Sequence, residues 1–530
     1  MKTNITKLFA GMFCAASLFT TTSCIDETFP TNAATQDQVT ASEKASEALL
    51  WAMPAFLNDF ETVAGNHYEW GYGSQMHIRD VMTGDMTVVA TGYDWYSSWA
   101  LNQGQGENSA RTQYIWNYYW KFVQTANNVI RSIDKTTATE KQIGMLGAAQ
   151  AYRALAYLDM AQMYEFLPNE VTDTINDAGN NVKSLTIPIV DENITEDGAR
   201  NNPRVSRDEM AEFILADLDS AEINVRNLTF ADKVLPHLDA VYGLKARAYM
   251  WLGDYENAKK YARLAIDNNT GRVMTQEQCL STTAGFNDPT PWMWAATTMK
   301  EDDVVKSGIL NWASWMSPEA QYGYNAAGAT SMIDAAMYAR ISNSDFRKLM
   351  FKAPEGHALE AEVPYIDAEF ATDLPEYAGI KFRPNAGNTQ EYTVGSSTSY
   401  PIMRIEEMYF IEAEAAEHLV PGEGIALLED FMTTFRDKEY IVKPNVEAID
   451  EIVFQKRVEL WGEGLAFFDI KRLDMSVTRG YEGSNVDAAR QYNTNGRPAW
   501  MNTCIVITEK NNNKALVDWE NPDPSGKYKP

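Results

Sequence analysis

Cysteine, histidine and positive charge are all scarce in this chain of 530 residues. Four cysteines are present, and two of them, Cys14 and Cys24, fall in the first 24 residues. Only Cys279 and Cys504 remain for the body, with no CxxC pair, which excludes a four-ligand zinc site of the ordinary kind. They form one disulfide or two buried thiols, and the sequence leaves both open. The five histidines, His67, His77, His237, His357 and His418, are scattered and make no HExxH. Neither Gly-x-Ser-x-Gly nor a glycine-rich phosphate loop after a strand occurs. Glu414 and His418 stand one helical turn apart and could share a metal, but an ion pair or helix-end contact is the simpler reading. Lysine and arginine number 45 against 73 acidic residues, a net charge of −28. Such a body repels phosphate backbones, so nucleic acid is removed from its partners. Beyond the leader, no apolar run approaches the roughly 20 residues needed to span a bilayer.

The leader itself has the parts of an export signal. Lys2 and Lys7 make a positive start, Leu8 to Phe19 is apolar, and Thr21-Thr22-Ser23 leads into Cys24. A small residue before a cysteine is the pattern of bacterial lipoproteins, with acylation expected at Cys24. Thr21 departs from the leucine usual at that position, and an ordinary secretory signal is the alternative. The expected organisation is a signal peptide over 1–23, a lipid anchor and tether over 24–42, and one domain over 43–530. Acyl chains on Cys24 would tie the protein to a membrane through buried methylenes. Loss of Lys2 and Lys7 with the leader takes the net charge from −28 to −30.

Hydrophobic residues make up 45% of the chain, enough for a large core. Helical periodicity dominates their placement. Trp116, Tyr119, Trp120 and Val123 recur at helical spacing, as do Ala148, Tyr152, Leu155, Ala156 and Met163. Ser206-Arg-Asp-Glu209 is a capping box opening a helix with Met210, Phe213, Ile214, Leu218 and Ala221 on one face. Leu244, Ala248, Trp251 and Leu252 form one stripe, Gly253-Asp254 turns the chain, and Ala258, Tyr261, Ala262 and Ala265 answer. That pair matches the second half of a tetratricopeptide repeat. A further pair starts near Ile405, for about four pairs in all. The fold class expected is all-α dominated, a tetratricopeptide-like helical-repeat scaffold. Long irregular insertions interrupt it near 67–106, 166–204, 269–330 and 353–400, and loops of such length are often functional. The tail from Glu509 to Pro530 is polar and is expected on the surface.

Two blocks near the C-terminus carry dense charge. One is Tyr400-Pro-Ile-Met-Arg404-Ile-Glu406-Glu-Met-Tyr-Phe-Ile-Glu412-Ala-Glu414-Ala. The other is Gln455-Lys-Arg-Val-Glu-Leu-Trp-Gly-Glu-Gly-Leu-Ala-Phe-Phe-Asp-Ile-Lys-Arg472. Arg457, Glu459, Glu463, Asp469 and Arg472 alternate with core aromatics, and Gly462 and Gly464 break the helix. A catalytic pair at Glu459 and Glu463 is one reading; an ion-pair network pinning two helices around a glycine turn is the other, and buried charges need partners. Arg404 is expected to pair with Glu407 or Glu414 for the same reason.

These two blocks, with the Trp116–Ile130 and Arg153–Leu167 helices and Arg204-Val-Ser-Arg-Asp-Glu, resemble the SusD/RagB family of outer-membrane nutrient-binding lipoproteins typical of Bacteroidetes. Ala466 stands where the family commonly has a basic residue. The resemblance implies a surface-exposed, lipid-anchored protein that binds oligo- or polysaccharide and delivers it to a SusC-like TonB-dependent transporter. It implies no catalytic residue, no cofactor and no metal. A surface glycoside hydrolase, or a family member that binds peptide or glycoprotein, are the alternatives.

A sugar offers a flat C–H face and a rim of hydroxyls, which suits exposed aromatic rings beside carboxylates or guanidinium groups. Two aromatic clusters lie outside any helical stripe, and the resemblance implies a glycan site drawn from the same two regions. The first is Tyr93-Asp94-Trp95-Tyr96-Ser-Ser-Trp99, preceded by Arg79-Asp80. The second is Trp292-Met-Trp294, followed by Trp312 and Trp315. Trp95, Tyr96, Trp99, Trp292, Trp294, Trp312 and Trp315 are therefore expected to supply a platform, with Asp80, Asp94 and Arg79 binding hydroxyls. Alternatively, these rings plug the insertions onto the scaffold.

Overall fold

Side-chain caps begin half of the long helices, and the long helices pack largely in chain order. The computed structural model describes residues 42–59, 66–283 and 285–529. Cys24, the leader and most of the expected tether lie outside them. Ser42 caps α1 (Glu43–Phe56), and Ser109 caps α3 (Ala110–Arg131), which follows α2 (Tyr72–Val81). Capping boxes open α4 (Glu140–Tyr164, Thr139 with Gln142) and α5 (Arg207–Asn224, Ser206 with Glu209). Then come α6 (Leu238–Leu252) and α7 (Tyr255–Asp267), joined by Gly253 at φ 74°, a conformation that only glycine adopts readily. After a long excursion the chain returns with α8 (Ile405–Leu419), α9 (Glu423–Phe435), α10 (Ala448–Glu459) and α11 (Ala466–Arg472).

From α3 to α9 each helix packs on the next, and α10 packs on both α8 and α9. α7 closes against α8 across the excursion, so the repeat series is continuous in space though broken in sequence. Ala258, Ala262 and Ala265, the expected small stripe, are fully buried there. The helical-repeat expectation therefore holds.

Two small antiparallel sheets fasten the insertions together. β1 (Met86–Val88) pairs with β3 (Ser331–Ile333), and β2 (Trp294–Thr297) pairs with β4 (Ser399–Met403). The first sheet binds the N-terminal insertion to the mid-chain insertion, with Met86 opposite Ile333. Backbone pairing across that distance brings the two aromatic-rich regions side by side.

The charged motifs resolve as a buried belt. Arg404 meets Glu459 at 3.1 Å, Glu406 at 3.0 Å and both oxygens of Glu463. Arg436 adds a 2.7 Å contact to Glu459, Arg347 a 3.3 Å one, and Lys381 reaches Glu463 at 2.6 Å. Burial alone would raise the Glu459 carboxyl, but Arg436, Arg404 and Arg347 together hold it well below the usual carboxylate range. The network reading of the motif stands; the partners expected for Arg404 do not. Arg404 precedes α8 in extended conformation, so its side chain leaves that helix rather than following its turns. Glu407 pairs instead with Arg247, and Glu414 with Arg472, each at 2.6 Å.

One other expectation needs correction. The 67–106 insertion contains α2, every residue of which is buried. Its polar residues Ser74, Gln75, His77, Arg79 and Asp80 are buried along with the apolar ones, so its burial does not follow apolar spacing, which is why it reads as irregular. The polar tail lies largely on the surface, as expected, and is pinned there at buried Asn513, Leu516, Asn521 and Tyr528. The Asn521 amide donates to the carbonyls of Tyr164 (2.9 Å) and Thr503 (2.8 Å), and Arg204 donates to the Asn521 side chain and to the Trp519 carbonyl.

Candidate functional site

Of the ten side chains expected to meet ligand, only Trp95 reaches the surface, with 38% of its area exposed. Arg79, Asp80, Asp94, Tyr96, Trp99, Trp292, Trp294, Trp312 and Trp315 are all buried. This corrects the platform expectation, and the reason is physical. The insertions have little regular layering, so their core is built from large rings, each burying some 150–250 Å².

Their contacts give the detail. Arg79 donates to Asp159 at 3.0 Å, to the Tyr119 hydroxyl at 2.8 Å and to the Gly464 carbonyl at 2.8 Å. The Gly464 N–H donates to both oxygens of Asp80, at 3.1 and 3.0 Å. Arg79 and Asp80 thus grip the glycine turn of the second motif, where φ is 69°. Burial drives the Asp80 carboxyl well above its usual range, against the opposing charge of Arg79. Trp312 stacks on Tyr400 at 4.9 Å, Trp294 sits edge-on to Tyr152 at 4.9 Å, and Trp292 packs beside Phe286. Tyr96 gives its hydroxyl proton to Ser74 at 2.8 Å and meets Trp315 edge-to-face. Trp99 lies edge-on to Tyr68 at 5.1 Å.

What remains exposed stands at the outer end of a stack of rings. The His67 imidazole lies against one face of Trp95, centroids 4.5 Å apart and planes 25° from parallel. His67 Nδ1 is 2.5 Å from the Tyr324 hydroxyl, and Tyr324 packs on the buried Trp315. Tyr93 fills the side, 5.0 Å from Tyr324 and 5.8 Å from His67. At the inner end, His77 lies 5.3 Å from Trp315 and 4.5 Å from Tyr96. The stack therefore runs from core to solvent through His77, Trp315, Tyr324, His67 and Trp95.

Local backbone chemistry aims each member. Asp94 accepts the Tyr96 N–H at 2.9 Å, starting the turn that becomes the short helix Ser97–Ala100. Its other oxygen meets Arg490 at 3.3 Å, and Arg490 also donates to the Val88 carbonyl at 2.8 Å. Burial raises the Asp94 carboxyl and Arg490 opposes the rise. Asp94 is thus a support for Trp95, not a free acceptor for sugar hydroxyls. Tyr324 is delivered by Gly323, at φ 61° and packed so closely on the Ser314 side chain that a Cβ would overlap it. His67 and Tyr324 escaped the sequence reading; no motif or spacing marks them.

A separate open groove of about 570 Å³ runs between the loop before α3 and the C-terminal segment, lined by Glu107, Arg111, Asp177, Glu520 and Asp523 among others. No aromatic ring lines it, so it lacks a surface for stacking. Among the described residues no group of three or more histidines, cysteines or acids is placed to hold a metal. His418 lies 3.7 Å from Glu414 and stacks on Tyr255 at 3.9 Å. Cys279 and Cys504 are free and buried. No helix among the described residues is long and apolar enough to cross a membrane.

Comparison with known proteins agrees with this architecture. A family model described as "SusD family" matches residues 267–526, and one described as "Starch-binding associating with outer membrane" matches residues 36–250. Among solved structures, a SusD-like carbohydrate binding protein from Bacteroides vulgatus is 20% identical, with a TM-score of 0.68 over 90% of this chain and 97% of that one. A SusD superfamily protein from Bacteroides thetaiotaomicron is 18% identical, with a TM-score of 0.64 over 89% and 98% of the two chains. Surface glycan-binding protein A from the same species is 15% identical, with a TM-score of 0.61 over 90% and 98%. No curated protein matches the chain.

Proposed function

We propose, from the premise that this chain belongs to the SusD family, that it captures a glycan at the outer surface of the cell and passes it on without cleaving it. Trp95 is the contact ring, and the receiver is a TonB-dependent outer-membrane transporter of the SusC kind. Cys24, once acylated, holds the protein to the outer membrane. The observation that carries the reading is the exposed Trp95 ring, standing on a rigid stack between two insertions that β1 and β3 tie together. A flat apolar face with fixed geometry suits the C–H face of a pyranose. One face of the ring is already covered by His67, so a sugar stacks from one side only. Relatives described as carbohydrate binding and as a surface glycan-binding protein support the same reading.

Hydrolysis fits the site less well. It needs two carboxylates flanking the bond, roughly 5–10 Å apart. The acid beside Trp95, Asp94, is buried and engaged by Arg490.

Native gels cast with a panel of polysaccharides test the proposal, with reducing ends assayed in each mixture. Retardation by one glycan, lost in Trp95→Ala and without new reducing ends, is expected. New reducing ends would move the answer to a glycoside hydrolase. Absence of retardation with every glycan would move it to peptide or glycoprotein cargo.

A further inference from the structure

Resting on the glycan-binding reading above, we propose that His67 is the positioning residue of the site: its neutral imidazole holds the Trp95 ring from behind, and protonation of that imidazole weakens glycan capture. The ring stacked on Trp95 is the one aromatic of the outer stack that changes charge near physiological pH. His67 is tied down through Nδ1 to Tyr324, whose ring rests on the core at Trp315. A Trp95 indole without this backing must be ordered when ligand arrives, at a cost that lowers affinity.

The chemistry of the pair makes the neutral form the working one. Burial pushes the Tyr324 hydroxyl up, so it keeps its proton. We take His67 in the Nε2–H tautomer, in which Nδ1 accepts from that hydroxyl. A proton on Nδ1 faces that hydroxyl proton, and the hydroxyl must reverse to accept, leaving its own hydrogen with no acceptor among the described residues. The new cation is itself attracted to the Trp95 π face, so protonation keeps the ring in place and acts on the ring's electrons instead. It draws electron density towards the inner side, away from the face that meets sugar C–H groups.

The groups packed against the imidazole are Trp95 and Tyr93 from one loop and Tyr324 from the Gly323–Ala326 turn. No carboxylate among the described residues lies against it to stabilise the cation. Asp94 is turned to Arg490 at 3.3 Å, and Glu69 accepts from Asn66 at 2.9 Å. Burial alone moves the imidazole below its ordinary value of about 6.5. His67 is therefore neutral at pH 7 and titrates on the acid side.

The test measures Kd calorimetrically for the polysaccharide retained in the gels, at about pH 7 and about pH 4.5, with folding checked by circular dichroism at each pH. Wild type, His67→Ala, His67→Phe and Trp95→Ala are compared. His67→Ala is expected to bind about fivefold more weakly at pH 7, the worth of one aromatic stack. His67→Phe keeps the stack and binds nearly as wild type at pH 7. Wild type weakens about threefold in acid, and His67→Phe does not. Wild-type affinity in His67→Ala at both pH values, or an equal acid loss in His67→Phe, would overturn the role of His67. Loss of binding in Trp95→Ala alone would then leave the glycan reading standing. Unchanged binding in Trp95→Ala would overturn the glycan reading and this inference with it.

Discussion

The belt around Arg404 and the ring stack under Trp95 are both dense clusters of chemically able side chains, yet they do opposite things. In the belt every charge faces another: Glu459 alone meets three arginines, and Arg404 meets three carboxylates. One buried oxygen of Glu406 is without a hydrogen-bond partner among the described residues, and no belt charge reaches the surface. In the stack the inner rings are buried, His67 is half-buried, and Trp95 at the outer end is exposed. A cluster becomes a site when one of its members reaches the surface, not when its residues are merely reactive in type.

That contrast can be broken most forcefully at the belt. Glu459→Ala leaves Arg404, Arg436 and Arg347 buried around a missing charge, and such a loss costs about 3–5 kcal/mol. Urea unfolding should show it, while the folded fraction binds glycan with unchanged affinity. Altered affinity would show that the belt belongs to the site. Trp312→Ala should cost a comparable amount, about 3–5 kcal/mol, because it empties a packed position against Tyr400 and Phe382. A stable Trp312 variant with weakened binding would restore that ring to the platform.

The inner end of the stack gives a pH signature. His77 is fully buried, neither ring nitrogen has a hydrogen-bond partner, and burial pushes its titration down to about 3. The unfolded chain protonates it near 6.5, so the unfolded state binds more protons between these values. Stability then falls as pH drops through that window, by roughly 1.4 kcal/mol per unit and about 5 kcal/mol in all. His77→Phe should lose this part of the acid slope in pH-dependent melts; an unchanged slope would contradict the account. The smallest effect belongs to Arg490→Met, which removes the support behind Asp94. Glycan affinity should fall about threefold, equivalent to roughly 0.7 kcal/mol. No change would mean that the loop holds Trp95 without it.

Much of the scaffold was legible because its signals are local. The Ser206 capping box, the Gly253 turn and the helix starting at Ile405 each announce themselves within a few residues. The interleaving of charge with core aromatics in the Gln455–Arg472 block also pointed to a network rather than a catalytic pair. The site was far less legible. An aromatic in an irregular segment has no helical phase, so nothing distinguishes exposed Trp95 from buried Tyr96 beside it. Arg79 and Asp80 looked like loop polar groups because α2 is buried on every side. His67 and Tyr324 are 257 positions apart and meet where β1–β3 pairing and ring contacts such as Trp70–Trp312 join the two regions. The partners of Arg404 were misread because an extended residue before a helix does not follow that helix's spacing.

The central claim is that one surface ring, Trp95, makes the glycan contact while the other tryptophans hold the fold. Calorimetric titration of the glycan identified by native gels, into wild type and Trp95→Ala, tests it most directly. Affinity should fall tenfold or more, on the order of 1.4 kcal/mol or above, with the melting temperature within about 2 °C of wild type. Unchanged affinity in a folded Trp95→Ala protein would contradict it.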